Sequence, residues 1–345
     1  MKVLITGGSG FLGLHLVNFF HKKKFKVRIV DLQTYPKNEY PKNVELILGD
    51  IRDKKVVKKA VDGVDFVIHA AAALPLWKAK DIYTTNIDGT KNILEASKRA
   101  KVRQVVYISS TAVYGIPKKH PIFETDPVHG VGPYGESKIA AEKLCEKYRS
   151  QKLSVTVLRP KTFVGTHRLG VFEILFDWIK DGKKIPVFGS GKNQYQLLDV
   201  DDLVEAIYLL TKVGKKANDN FNIGSLFYKT VQKDLEDLFK FARSGSRILP
   251  IPALPLKVVL RFFELLHISP LYKWVYETAD KDSFVSIDKL CKVLAWKPRY
   301  SNSQALIKSY RWYLANYKAV KSHSTGVTHT TGWNQGVLGF FKRFL

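Results

Sequence analysis

The chain has 345 residues, 45% of them apolar and 25% charged, with a formal net charge of +25. That much apolar chain can fill a large core, so disorder as the main state is excluded. Two cysteines, Cys145 and Cys291, exclude a disulfide scaffold and suit reduced thiols in a cytosolic chain. The positive excess is mostly lysine and is scattered along the chain. No nucleic-acid-binding motif accompanies it, so no nucleic acid is expected as a partner. No apolar run reaches the ~18–20 residues of a membrane span.

Lys2–Thr6 is a short apolar run that predicts a buried strand. It meets glycines at once, so a signal peptide is not expected. The loop Thr6-Gly7-Gly8-Ser9-Gly10-Phe11-Leu12-Gly13 follows, and a helix is expected through His21. In this strand–loop–helix setting Gly7 permits a tight turn. Gly10 lets backbone approach a pyrophosphate, and Gly13 lets the helix pack close on the strand. Phe11 and Leu12 open the helix, whose N-terminus offers amides and a positive dipole end to phosphates.

Lys26–Asp31 predicts a second strand, and Asp31 ends it about twenty residues after the loop. A carboxylate there can accept hydrogen bonds from the adenosine ribose hydroxyls. It would repel a 2′-phosphate, and Leu32-Gln33 supplies no arginine to hold one. NAD is therefore expected over NADP.

Strands expected at 44–48, 66–70, 104–109 and 154–159 alternate with helices at 53–61, 82–100 and 134–151. This alternation predicts an α/β fold with a doubly wound parallel (Rossmann-type) sheet. In the last helix, Tyr134-Gly135-Glu136-Ser137-Lys138 sets Tyr134 and Lys138 one turn apart on one face. A free tyrosine, with a pKa near ~10, is a poor base at neutral pH. A nearby ammonium lowers that pKa, so Tyr134 is expected as acid or base toward a carbonyl or alcohol oxygen. Lys138 would also reach the nicotinamide ribose.

After Arg159 the pattern loosens, with isolated strand runs at Ile185–Phe188, 196–200 and Asn220–Ile223. The expected organisation is a dinucleotide-binding domain over 1–160 and a smaller C-terminal substrate lobe over 161–320, with returns to the sheet. A basic, aromatic tail follows over 321–345. The apolar stretch 248–276 would cover a hydrophobic substrate, dip into a membrane surface, or form lobe core. The tail end, with Phe340, Phe341, Lys342, Arg343 and Phe344, suits reversible association with an anionic membrane face; folding back or a homodimer contact is the rival.

Taken together, several motifs resemble the extended short-chain dehydrogenases/reductases of the NAD-dependent epimerase/dehydratase group. They are the 6–13 loop, Gly49-Asp50-Ile51, His69-Ala70-Ala71-Ala72, Asn86-Ile87-Asp88-Gly89-Thr90, Ser109-Ser110-Thr111-Ala112-Val113-Tyr114-Gly115, the Tyr134 to Lys138 run and Leu158-Arg159-Pro160. The resemblance implies Asp50 and Ile51 beside the adenine, and Ala70, Ala71, Ala72 and Pro160 along the cofactor. It places Ser110 on the reacting oxygen, with Thr111 as the alternative hydroxyl, and makes Asn86 a brace between helices.

Three departures narrow the branch. Dehydratases of the group place an acidic pair where this chain has Thr111 and Ala112, so dehydration is not expected. Nucleotide-sugar epimerases place an asparagine at the register of Thr162 and a diphosphate-clamping arginine at that of Tyr195. A tyrosine lacks the charged fork that phosphate favours, although Lys192 or Arg168 could substitute. The Arg159-Pro160-Lys161-Thr162-Phe163-Val164-Gly165 run is similar to the 3β-hydroxysteroid and sterol-type dehydrogenases. The expected function is an NAD-dependent oxidoreductase moving a hydride to or from a secondary alcohol or ketone of a sterol- or lipid-like small molecule. A nucleotide-sugar epimerase or dehydrogenase is the alternative, and a non-catalytic nucleotide-holding assembly protein the second. The intact Ser110, Tyr134 and Lys138 argue for an enzyme. No metal is expected, and the expected location is the cytoplasm or the inner membrane face.

Overall fold

The computed structural model describes residues 1–75, 77–167, 169–265, 273–322, 325–326 and 332–333. Arg168, residues 266–272 of the apolar stretch and the tail end 336–345 lie outside them.

Seven strands form one parallel sheet: β1 (Lys2–Thr6), β2 (Lys26–Asp31), β3 (Glu45–Leu48), β4 (Phe66–His69), β5 (Gln104–Ile108), β6 (Val155–Pro160) and β7 (Asn220–Ile223). Their order is β7-β6-β5-β4-β1-β2-β3. Helices cover both faces, as right-handed crossovers between parallel strands require. Val3, Leu4 and Ile5 are fully buried, the continuous apolar run of a strand covered on both sides. Val3 and Ile5 face a core that holds Leu14, Val17, Phe20, Leu203 and Ile207. Leu4 faces the opposite core, with Val57, Ile93, Leu94, Ala141 and Cys145.

The helices begin with α1 (Phe11–Lys22) and α2 (Lys54–Val61). Asp53 caps α2, its Oδ1 accepting from the Lys55 amide at 2.7 Å. The single helix expected over 82–100 spans two segments, α3 (Ala79–Tyr83) and α4 (Thr90–Arg99), joined by a π-helical turn over Thr84–Gly89. Such turns are frequent at functional sites. Here the turn carries the buried Asn86. Its Oδ1 accepts from the Ala73 amide at 2.8 Å, and its Nδ2 donates to Ser137 Oγ at 3.0 Å. Asn86 thus ties the turn to α5 (Gly132–Ser150).

The strand expected at 196–200 is shorter, Leu198–Asp199, and pairs with Phe163–Val164. The Asp199 carboxylate accepts from the Asp201 amide at 2.9 Å and starts a helix at Val200. Asn220–Ile223, isolated in sequence, returns to pair with β6, Ile223 opposite Pro160. Helices Phe172–Lys180, Val231–Ala242 and Asn302–Ala315 surround a separate core of Phe176, Trp178, Leu238, Leu306, Tyr310 and Tyr313. Within the apolar stretch, Ile248–Ile251 is a strand and Ala253–Leu265 a helix. That helix exposes Leu254, Val258 and Val259. No helix among the described residues is long and apolar enough to cross a membrane.

Candidate active site

A cleft opens at the carboxyl ends of β1, β2, β4 and β5, where doubly wound sheets bind ligands. Gly7, Gly10, Phe11, Leu12 and Gly13 line it, with Asp31, Asp50, Ile51, Ala70, Ala71, Ala72, Tyr134 and Lys138. These residues come from five separate stretches of sequence.

The glycine loop has almost no room for side chains. Gly7 has φ +70, and a Cβ on it would lie 2.9 Å from Ala71 backbone. A Cβ on Gly13 would lie 2.2 Å from the Gly7 carbonyl oxygen. Replacing Gly13 by alanine is expected to push α1 off β1, cost about 1–3 kcal/mol and weaken NAD. Thermal melts and NAD titration would measure both.

Asp31 Oδ2 accepts from the Ser9 amide at 2.9 Å, and its Oδ1 from the Gln33 amide at 3.2 Å. Burial raises its pKa against those hydrogen bonds. Asp50 also meets burial, yet its pKa is lowered because Arg52 donates from Nε at 2.9 Å and from its amide at 2.8 Å. The closed glycine corner, the apolar wall of Ile51 and Ala70 to Ala72, and the Asp31 carboxylate at the end of β2 fit a dinucleotide. Phe163 adds to the wall, its ring stacked on Phe11 at 5.4 Å.

At the other end Ser110 stands close enough to Tyr134 to act on its phenol, and Ser110 Oγ accepts from the Ala112 amide at 3.1 Å. Burial pushes the Tyr134 phenol up to about 12, against the pull of Ser110. The depressed phenol expected from spacing with Lys138 is not what this geometry gives. Lys138 Nζ lies 5.8 Å from the Tyr134 ring centroid and donates to the Ile108 carbonyl at 2.9 Å. Burial lowers Lys138 itself to about 8, opposed by Glu142. Tyr134, Lys138 and Glu142 follow at intervals of four along α5, one stripe on one face.

Five of the expected site residues, Ser110, Thr111, Pro160, Thr162 and Tyr195, are not among those that line the cleft. Thr111 is buried, and its Oγ1 donates to the Pro160 carbonyl at 3.3 Å. Thr162 Oγ1 and Tyr195 Oη are hydrogen-bonded to each other at 2.9 Å, past the end of β6. Sequence reading passed over Ser109, which lines the cleft and donates to Glu142 Oε1 at 2.5 Å. Its signal was the doubled serine at the end of β5. Trp77 and Thr85 also line the cleft, and no motif marked them. No group of three or more metal-binding side chains occurs among the described residues.

The fold and cleft define a dinucleotide-dependent oxidoreductase class. Residues 3–224 match the NAD dependent epimerase/dehydratase family, and the chain belongs to it. It is therefore an NAD-dependent enzyme of the extended short-chain type. The chain is 38% identical over 315 residues to an uncharacterized Sinorhizobium fredii protein, y4nG, covering 91% of this chain and 78% of that one. It is 29% identical to the UDP-glucose 4-epimerase of Lactobacillus helveticus, over 94% of this chain and 99% of that one. The solved UDP-glucose 4-epimerase of Thermotoga maritima, with UDP-glucose, shares the fold at a TM-score of 0.77 and 24% identity. It covers 92% of this chain and 100% of that one. These relatives favour the nucleotide-sugar alternative over the sterol-type branch to which the Arg-Pro run pointed.

Proposed function

We propose that this enzyme reversibly oxidises a secondary alcohol on a nucleotide-linked sugar, with NAD as the hydride partner and without dehydration. The observation that carries this is that Tyr134 and Lys138, one helical turn apart on α5, both line the dinucleotide cleft, with Ser110 beside the phenol. NAD, when bound, accepts the hydride from the carbinol carbon and can give it back. Tyr134 Oη takes the hydroxyl proton as the carbonyl forms and returns it on reduction. Ser110 holds the same oxygen in line. Lys138, buried and half-turned to Ile108, serves the ribose and supports the phenolate. Asp31 would hold the adenosine ribose, Asp50 and Ile51 would lie beside the adenine, and Ala70 to Ala72, with Pro160 behind the wall, would border the cofactor's path. Thr111 and Ala112 are buried and carry no acid, which supports a reaction that stops short of elimination. Thr162 and Tyr195 belong to the substrate side in this reading.

One observation favours the sterol- or lipid-like reading instead. Thr162 and Tyr195, hydrogen-bonded to each other, bring two hydroxyls and no charge of their own to the two registers where the nucleotide-sugar epimerases carry an asparagine and an arginine. Incubation with NAD and either UDP-glucose or UDP-galactose, followed by proton NMR, separates the two. Interconversion of the two sugars supports the proposal. Stoichiometric free NADH from an apolar alcohol, with neither sugar changed, refutes it.

Cofactor choice gives a second test. Asp31→Ala is expected to weaken NAD and to narrow its advantage over NADP, because the carboxylate that repels a 2′-phosphate is gone. A lower Michaelis constant for NADP than for NAD in the unaltered enzyme would contradict the role given to Asp31.

A further inference from the structure

Among the described residues five lysine or arginine side chains are buried: Arg28, Lys138, Arg159, Lys161 and Lys257. A buried cation is costly unless a carboxylate answers it. Arg28 Nε lies 2.8 Å from Glu45, Arg159 Nη2 2.6 Å from Glu142, and Lys257 Nζ 2.5 Å from Asp280. Lys138 and Lys161 form no ion pair among the described residues; the hydrogen bond of Lys138 goes to the Ile108 carbonyl and that of Lys161 to Ser283 Oγ. Lys138 stands in the proposed catalytic stripe. Lys161 has no such explanation.

Lys161 Nζ donates to Ser283 Oγ at 2.6 Å and lies 4.8 Å from the Tyr195 ring centroid. A serine and an aromatic face steady an ammonium, but they bring no countercharge. Burial accordingly lowers the amine to about 7. Thr162, the next residue in the chain, is hydrogen-bonded through Oγ1 to Tyr195 Oη at 2.9 Å. Two strands of evidence put this cluster at the substrate end. Lys161 follows the last residue of β6 directly, at the carboxyl ends of the strands, buried just behind the cleft wall. Phe163, two residues on, lines the cleft against Phe11. A hydrogen bond to Ser283 alone would not require a cation there. An arriving anion would supply the partner that the fold withholds.

We propose that Lys161 is the anion-binding residue of the substrate site, held by Ser283 and Tyr195, and that it takes a phosphate or carboxylate oxyanion of the substrate. This rests on the nucleotide-sugar reading above. Lys161 determines specificity by charge, and Thr162 and Tyr195 supply the surrounding hydroxyls.

The test is calorimetric binding of UDP, UDP-glucose and UDP-glucuronate to the NAD-loaded enzyme, for the unaltered chain, Lys161→Met and Lys161→Gln. Truncating one partner of a buried charged contact is expected to weaken binding by about 30-fold or more. Loss on all three ligands assigns the diphosphate as the anion; loss confined to UDP-glucuronate assigns the sugar carboxylate. Equal affinities in all three proteins overturn the inference and leave the nucleotide-sugar reading standing. Failure of the unaltered enzyme to bind any of the three overturns that reading and the inference with it. The melting temperature is a second readout. Removing an unanswered buried charge should leave it equal or higher in Lys161→Met, while a marked fall in both variants would make Lys161 a structural prop and overturn the inference.

Discussion

Replacing Tyr134 by phenylalanine is expected to cut turnover by ~10²–10⁴-fold while NAD binding stays close to that of the unaltered enzyme. The ring fills the same space, so only the hydroxyl that moves the proton is lost. Tyr134, half-buried and lining the cleft, is the one titratable hydroxyl in the stripe of Tyr134, Lys138 and Glu142 on α5. Lys138→Ala is expected to harm both turnover and NAD binding, because the amine serves two partners. Single-turnover kinetics with a parallel NAD titration would separate the two variants. A Tyr134→Phe enzyme with near-normal turnover would mean that the proton is handled elsewhere.

The second large effect concerns Glu142. Its Oε2 accepts from Arg159 Nη2 at 2.6 Å, and its Oε1 accepts from Arg159 Nε at 3.0 Å and from Ser109 Oγ at 2.5 Å. Arg159 also donates to Tyr114 Oη at 2.7 Å, which in turn donates to Asn222 Oδ1 at 2.8 Å. This network joins α5, β5, β6 and β7 beneath the cleft. Glu142→Ala leaves the Arg159 guanidinium buried and unanswered, which should cost about 3–5 kcal/mol of stability. The near-isosteric Glu142→Gln removes the charge and keeps one accepting oxygen, while its amide nitrogen can no longer accept from Arg159. Glu142 raises the pKa of Lys138, so its neutralisation lowers that pKa further below about 8. The ammonium is present below its pKa and lost above it. The alkaline fall in turnover is therefore expected to move to lower pH in Glu142→Gln. A pH–rate profile that does not move would confine Glu142 to a purely structural role.

The nucleotide half of the molecule was legible because its signals are local. A buried strand must be apolar on both faces, a glycine loop must precede its helix, and Asp31 must end the next strand. Lys2–Thr6 and Lys26–Asp31 stand where periodicity put them, as does Ile185–Phe188 outside that half. The π-helical turn was not legible, because 82–100 has an unbroken helical pattern and the turn is held by Asn86 reaching Ala73 and Ser137 across the fold. Returns from the lobe to the sheet were expected, and Asn220–Ile223 makes one; its seat beside β6 was hidden, since strand pairing over that separation leaves no local trace. The Tyr134–Lys138 spacing located the stripe but misjudged its electrostatics. Sequence spacing reports proximity and says nothing of burial, and burial sets both pKa values. Lys161 read as one more lysine in a lysine-rich chain; only three-dimensional packing marks it as a cation without a carboxylate.

The most direct measurement is the absorbance of enzyme-bound NADH after NAD-loaded enzyme is mixed with UDP-glucose. Transient, bound NADH in the unaltered enzyme, absent in Tyr134→Phe, is the predicted result. No reduced cofactor with UDP-glucose, or an equal signal in the phenylalanine variant, would contradict hydride transfer from a nucleotide sugar under the control of Tyr134.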